Sequence, residues 1–259
     1  MSGAVSAFLT ALANGRLKII DLTETLSPSF PTIILPPELG QCLPFRLEEI
    51  SRFDERGPSW YWNNFSCGEH TGTHFDAPIH WISGKDLPNN TTDTIPAENF
   101  VAHACVIDCS EQSRDDADFL LTIDVVKAWE AVHGPIPPRS WVLLRTDWSK
   151  RRTAVEYLNM TPDGQHTPGP DTQVVPWLIE HRDIHGFGTE SVGTDAGQAV
   201  HFDPPFPCHY FLHKHNRYGL QCLTNLDQLP ATGALIVSAP LKIEQGSGSP
   251  TRVLAVVEQ

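Results

Sequence analysis

Residues 67–80 read C-G-E-H-T-G-T-H-F-D-A-P-I-H and hold His70, His74, Asp76 and His80, with Gly72 and Pro78 between them. On a helix, His70 and His74 would share a face at i,i+4. Gly72, Thr71, Thr73 and Pro78 oppose a helix here, through backbone entropy, β-branching and the missing proline N–H. In an extended chain alternate side chains share a face, so the three histidines and Asp76 all have one parity. His74 and Asp76 then stand roughly 6.6 Å apart at Cα, near enough to share an ion, whereas a straight run from His70 to His80 would span roughly 33 Å. The stretch must therefore bend, and Gly72 and Pro78 are the residues built for it. The expectation is a bent ribbon in which His70, His74 and Asp76 bind a divalent metal, with His80 folded back over it. Isolated histidines are usually hydrogen-bonded surface or core residues, but this density at one parity argues for ligation. Two neutral imidazoles and one carboxylate leave a dication with net positive charge and open positions, the arrangement of catalytic rather than structural sites.

Just upstream, Trp60-Tyr61-Trp62 and Phe65 occupy a β-like run. Trp60 and Trp62 share a face, which makes either an aromatic wall for a planar substrate or ordinary core. Downstream, residues 81–97 read as loop. Strands are expected over 17–22, 45–50, 104–108, 141–146, 184–189, 233–239 and 253–257, from short apolar or β-branched runs. Helices are expected over 4–14, 122–133 and 174–180. Thr122 is placed to cap the second, with Val125, Val126, Trp129 and Val132 as its apolar stripe and Gly134 just past its end. His181 and His185 read as surface residues. His209 and His213 stand at i,i+4 on a further helix. Residues 27–39 and 160–171, rich in proline and glycine, read as loops, and 246–250 (G-S-G-S-P) as a turn.

The sequence resembles the cyclase-type metal-dependent hydrolases. H-x-G-T-H-x-D-x-P-x-H is filled at every fixed position by His70, Gly72, Thr73, His74, Asp76, Pro78 and His80. The likeness extends to Asp21-Leu22-Thr23, to residues 189–195, to Ala239-Pro240-Leu241-Lys242-Ile243, and to Gly248-Ser249-Pro250-x-Arg252. It implies a swivelling β/β/α fold, mixed β-sheets with flanking helices, across one domain of residues 1–259. It also implies one divalent ion, Zn or Mn, and assigns His209 to a histidine that reaches the metal centre. Phe30, before Pro31, sits where relatives carry a pocket aromatic, and Phe65 joins Trp60 and Trp62 as a candidate substrate contact. Asp195 falls in a turn expected to orient a nearby loop or helix end rather than to act directly in catalysis. Kynurenine formamidases carry a glutamate that bridges two zinc ions where this chain has Gln221. An amide adds no charge, so Gln221 points to a single ion and to the isatin hydrolase or trans-dienelactone hydrolase branch.

The reading that follows is a hydrolase that opens a small cyclic amide or lactone by metal-activated water, with His80 as the acid–base candidate and His209 as a second one or as an orienter of the scissile carbonyl. An arylformamidase acting on N-formylkynurenine is the alternative enzyme, and a non-catalytic metal- or ligand-binding protein the alternative class. No G-x-S-x-G elbow supports a serine hydrolase. The net charge of −13 argues against nucleic acid and anionic membranes as partners. No stretch has the length and hydropathy of a membrane span. Residues 4–13 lack a basic flank and read as a helix rather than a signal peptide. The six cysteines form no disulfide framework, consistent with a cytoplasmic protein. Relatives imply a homodimer or larger assembly.

Overall fold

A computed structural model describes residues 3–259. Its organising element is a nine-stranded mixed sheet. In spatial order the strands are Leu17–Asp21, Leu254–Glu258, Thr232–Val237, Val101–Asp108, Trp141–Arg145, Gly186–Thr189, Tyr218–Gln221, His74–Asp76 and Gly248–Pro250. The four from Val101–Asp108 to Tyr218–Gln221 run parallel, and the strands flanking them pair antiparallel. Parallel strands need crossovers, and the helices Ile123–His133 and Val174–Arg182 lie in two of them.

The central strands are buried on both faces, and successive residues point alternately into two cores. Ala104, Val106, Trp141, Leu143, Ala234 and Ile236 face one core, which also takes Ile20 from one end of the sheet and Phe75 from near the other. Cys105, Ile107, Val142, Leu144 and Phe187 face the second core, where Val126, Leu178 and Leu212 bring in helices. Phe75 is fully buried against Tyr218, Phe100 and Trp141 at ring distances of 5.1, 5.9 and 6.4 Å. Burying such a ring contributes about 1.5–3 kcal/mol. Since Phe75 lies between His74 and Asp76, the core on one side of that strand anchors the polar residues on the other.

Several elements depart from expectation. Tyr218–Gln221 and Gly248–Pro250 are strands, the second lying within a segment read as a turn. Residues 160–165, read as loop, hold a small hairpin of Met160–Thr161 with Gly164–Gln165. The helix over 123–133 is capped by Thr122, whose hydroxyl accepts from the Val125 N–H. Val132, however, is exposed. It lies six residues past buried Val126, about 240° around the helix, so it leaves the stripe. His185 is buried rather than on the surface: its ring packs against Trp141 and Tyr218, and Nε2 meets the Asn99 carbonyl at 2.7 Å. That burial pushes it down to about 4. Among the described residues no helix is long and apolar enough to cross a membrane.

Candidate metal centre

The 67–80 stretch is extended only at His74–Asp76. Before it, Gly72 takes φ +66°, a left-handed turn that only glycine adopts without strain. After it, Pro78 opens a 3-10 turn over Pro78–His80. The two bends return the outer histidines to the strand. The His70 and His80 rings stack with centroids 3.9 Å apart, and His70 Nδ1 lies 2.8 Å from Asp76 Oδ1.

The tautomer of His74 follows from its neighbours. Nδ1 lies 2.7 Å from the Gly72 carbonyl, which can only accept, so Nδ1 carries the proton. Nε2 then presents a lone pair, 3.5 Å from Asp76 Oδ1. A carboxylate oxygen and an imidazole lone pair turned toward one space repel each other unless a cation lies between them. Ligand atoms of His70, His74 and Asp76 all fall within 4.8 Å of one another. Gln221 joins through sheet register: it pairs with His74, and Gly219 pairs with Asp76. Its side-chain N–H donates to Asp76 Oδ2, which sets the amide beside the cluster. The donor atoms of His70, His74 and Asp76 fit a divalent ion.

His209 arrives on the helix Pro207–Lys214. Asp195 fixes the start of this helix, accepting from the backbone N–H of Cys208 at 2.7 Å and of His209 at 3.1 Å. The same carboxylate takes the His209 ring Nδ1–H at 2.5 Å. This turns Nε2 inward, 3.6 Å from Asp76 Oδ2. The orienting role expected of Asp195 is thus visible in its hydrogen bonds. Asp76, His80 and His209 form a second close group that shares the one carboxylate.

Burial and charge divide these histidines. Burial holds His80 well below the usual imidazole range, assisted by His70 and His209 and opposed by Asp76. Burial likewise pushes His74 down to about 4. Burial also acts to lower His209, but the Asp195 and Asp76 carboxylates outweigh it and raise the ring to about 10. Asp76 is itself fully buried, which would raise it, yet hydrogen bonds with His209 and His70 hold it well below the carboxylate range. The two rings of His80 and His209, 5.7 Å apart, are thus pushed in opposite directions by their surroundings.

His70, His74, Asp76, His80, His209 and Gln221 therefore meet in one cluster. Trp60, Trp62 and Phe65 do not join it within this chain. They lie half-exposed or more on the antiparallel hairpin of Arg46–Asp54 with Gly57–Ser66, so they are not core. Phe30 packs edge-on against Tyr157, in a small cluster with Trp148, Val192 and Cys222, the residue after Gln221. One aromatic escaped the sequence reading. Trp81 tilts against the His209 ring at 4.9 Å and touches His80 at 5.9 Å. Its place directly after His80 is the only signal that marks it.

A buried carboxylate faced by turned imidazoles, with two further histidines beside it on a curled α/β sheet, is the site of a metal-dependent hydrolase. The comparisons make the class specific. The family model Cyclase matches residues 20–196, and the chain belongs to that family. Isatin hydrolase of Roseibium aggregatum is 47% identical over 256 residues, covering 98% of this chain and 97% of its own. The structure of isatin hydrolase A from Ralstonia solanacearum superposes with a TM-score of 0.99 at 59% identity, over 100% of this chain and 98% of that one. An isatin hydrolase bound to the product analogue thioisatinate superposes at 0.98 with 46% identity, over the whole of both chains. Kynurenine formamidase of Salinibacter ruber is more distant, 26% identical over 92% of this chain and 97% of its own.

Proposed function

We propose that this chain hydrolyses the amide bond of isatin or a close five-membered lactam, using one divalent ion held by His70, His74, Asp76 and Gln221. The observation that carries the reading is Asp76. It is fully buried, and the nitrogen bases within ion-pair distance of it are imidazoles, not lysine or arginine. When bound, the ion supplies Lewis acidity, which makes water acidic near neutral pH and polarises a carbonyl. His/carboxylate/amide donors suit both Zn and Mn.

The proton work falls to this chain's own side chains. His80, neutral, accepts the proton of the attacking water as its oxygen bonds to the lactam carbonyl carbon. His209, protonated and braced by Asp195, gives a proton to the ring nitrogen as the C–N bond breaks. The products are a carboxylate and a free aryl amine, and ionisation of the new acid releases one proton. Positioned acid–base groups of this kind contribute about 10²–10⁴-fold each. Gln221 supports a single-ion site, because a neutral amide cannot offset the charge of a second dication.

The test is a panel of isatin, a trans-dienelactone and N-formylkynurenine, assayed as purified, after chelation, and after return of Zn²⁺ or Mn²⁺. Isatin should be turned over with the highest kcat/KM, chelation should abolish it, and one equivalent of metal should restore it. Preference for N-formylkynurenine would replace this reading with the arylformamidase one, and metal-independent turnover would end both.

The aromatic hairpin supports two further parts of the proposal. Trp60, Tyr61, Trp62 and Phe65 expose a run of rings that an isolated chain leaves in water. We take this arm to bind a second copy, with Trp60, Trp62 and Phe65 contacting substrate across the dimer and Phe30 contributing from its own chain. Trp60→Ala with Trp62→Ala is expected to lower the mass measured by light scattering toward that of one chain. KM should rise about tenfold, the loss of roughly 1.4 kcal/mol of binding. Unchanged mass would assign the arm to something else. The six cysteines are free thiols, which supports a reducing, cytoplasmic setting.

A further inference from the structure

His70 has a second nitrogen that the proposed function does not use. Its Nε2 lies 2.9 Å from the Ser247 hydroxyl, a residue 177 positions away in sequence. Ser247 Oγ lies in turn 2.5 Å from Glu69 Oε2, and the Ser247 backbone N–H also donates to that oxygen at 3.3 Å. A carboxylate accepts only, so the single hydroxyl proton of Ser247 goes to Glu69. Toward His70 the hydroxyl can then only accept, and His70 Nε2 must carry a proton. Nδ1, the atom 2.8 Å from Asp76 Oδ1, is then the nitrogen free to exchange its proton for a cation while Nε2 keeps its own.

The arrangement is rigid. The Ser247 carbonyl accepts from the Ala77 N–H at 2.9 Å, on the residue after the His74–Asp76 strand. The Gly246 carbonyl accepts from the Thr92 N–H at 3.0 Å. A side chain at Gly248 would put its Cβ 2.6 Å from the His70 ring and 2.5 Å from the Phe75 carbonyl, so the imidazole lies directly on bare backbone. Gly248 also pairs with Asp76 in the sheet. The edge strand thus carries Ser247 to one side of the ring while the neighbouring strand carries Asp76 to the other.

We propose that Glu69 and Ser247 form a carboxylate–hydroxyl relay that locks His70 with its proton on Nε2 and so aims Nδ1 at the metal. They are positioning residues, acting through His70 and touching neither ion nor substrate. The inference rests on the reading of His70 as a ligand. Outer partners of metal-bound histidines typically carry 10–100-fold of metal affinity.

The experiment measures the Kd for Mn²⁺ and Zn²⁺ by chelator competition in wild type, Ser247→Ala, Ser247→Thr, Glu69→Gln and His70→Ala, each checked for folding by thermal melting without metal. The ¹⁵N shifts of His70 in the metal-free protein report which ring nitrogen is protonated. Ser247→Ala should weaken both metals about 10–100-fold with an unchanged metal-free melt and shift His70 toward a mixture of tautomers. Ser247→Thr, which keeps the hydroxyl, should restore most of the affinity, and Glu69→Gln should fall between. Wild-type affinity in Ser247→Ala, or an unprotonated Nε2 of His70 in the metal-free wild type, overturns the relay. If His70→Ala also binds metal normally, the ligand assignment itself is at fault; if only His70→Ala is weakened, the relay alone fails.

Discussion

His80→Ala should lower kcat by about 10²–10⁴-fold while metal content and KM stay close to wild type. The expectation comes from where the ring sits. It stacks on His70 and lies near Asp76, but the 3-10 turn at Pro78–His80 lifts it off the strand that carries His74 and Asp76. Its removal leaves those donors in place and takes away the group that receives a proton. The pH profile gives the sharper test. Burial holds His80 below the ordinary imidazole value, so it is neutral and able to accept throughout the neutral range. It loses that ability only as pH falls well below 6.5. His209 is raised by Asp195 as well as by Asp76, and Asp195 lies away from the ion, so it favours the protonated ring. kcat/KM should therefore have an acid limb belonging to His80 and an alkaline limb belonging to His209. In His80→Ala the acid limb should flatten, and added imidazole should recover part of the rate. Metal loss from this variant would move His80 into the ligand set, and full activity would remove it from the chemistry.

Which parts of this centre could be read from the chain depends on how far apart in sequence the cooperating residues lie. His70, His74, Asp76 and His80 share one short stretch, so spacing and parity were enough to group them and to choose Gly72 and Pro78 as bends. His209 and Gln221 come from separate elements, and only the family resemblance tied them to the stretch. The strand that carries Gln221 is four residues long with a glycine inside it, and no period-two signal survives in so short a run. Gly248–Pro250 was hidden more completely, because glycine, serine and proline are the residues of a turn. Ser247 and Glu69 left no mark, since their contact bridges 178 positions. Composition could not decide whether Trp60, Trp62 and Phe65 are core or surface. An isolated hairpin buries neither face, so the alternation that identifies a strand says nothing about which side is covered. His185 failed for the converse reason: a polar residue just past a helix reads as exposed, and its burial depends on Trp141 and Tyr218 from two other strands.

Asp76→Asn is expected to abolish both metal binding and turnover, the largest single effect available in this protein. Asp76 is the one carboxylate among the grouped ligand atoms, and it belongs to both close groups. Asparagine keeps the shape and one acceptor oxygen but removes the negative charge that offsets a dication in a buried site. Without the ion, water returns toward its bulk pKa of about 15.7 from about 7. A loss of three or more orders of magnitude in kcat/KM follows, on the order of 4 kcal/mol at 1.36 kcal/mol per decade. A second consequence separates this loss from simple unfolding. Asp76 is one of two carboxylates that raise His209. Removing it should lower the His209 pKa below the wild-type value in metal-free protein, readable in the ring-proton shifts of a folded sample. For stability the sign is also fixed. The carboxyl is depressed in the folded state, so in metal-free wild type it stabilises the fold above the unfolded pKa of about 3.9 and that stabilisation fades as pH falls. Asp76→Asn should flatten this acid dependence. Stoichiometric metal in Asp76→Asn, or turnover within tenfold of wild type, would show that His70, His74 and Gln221 hold the ion without it.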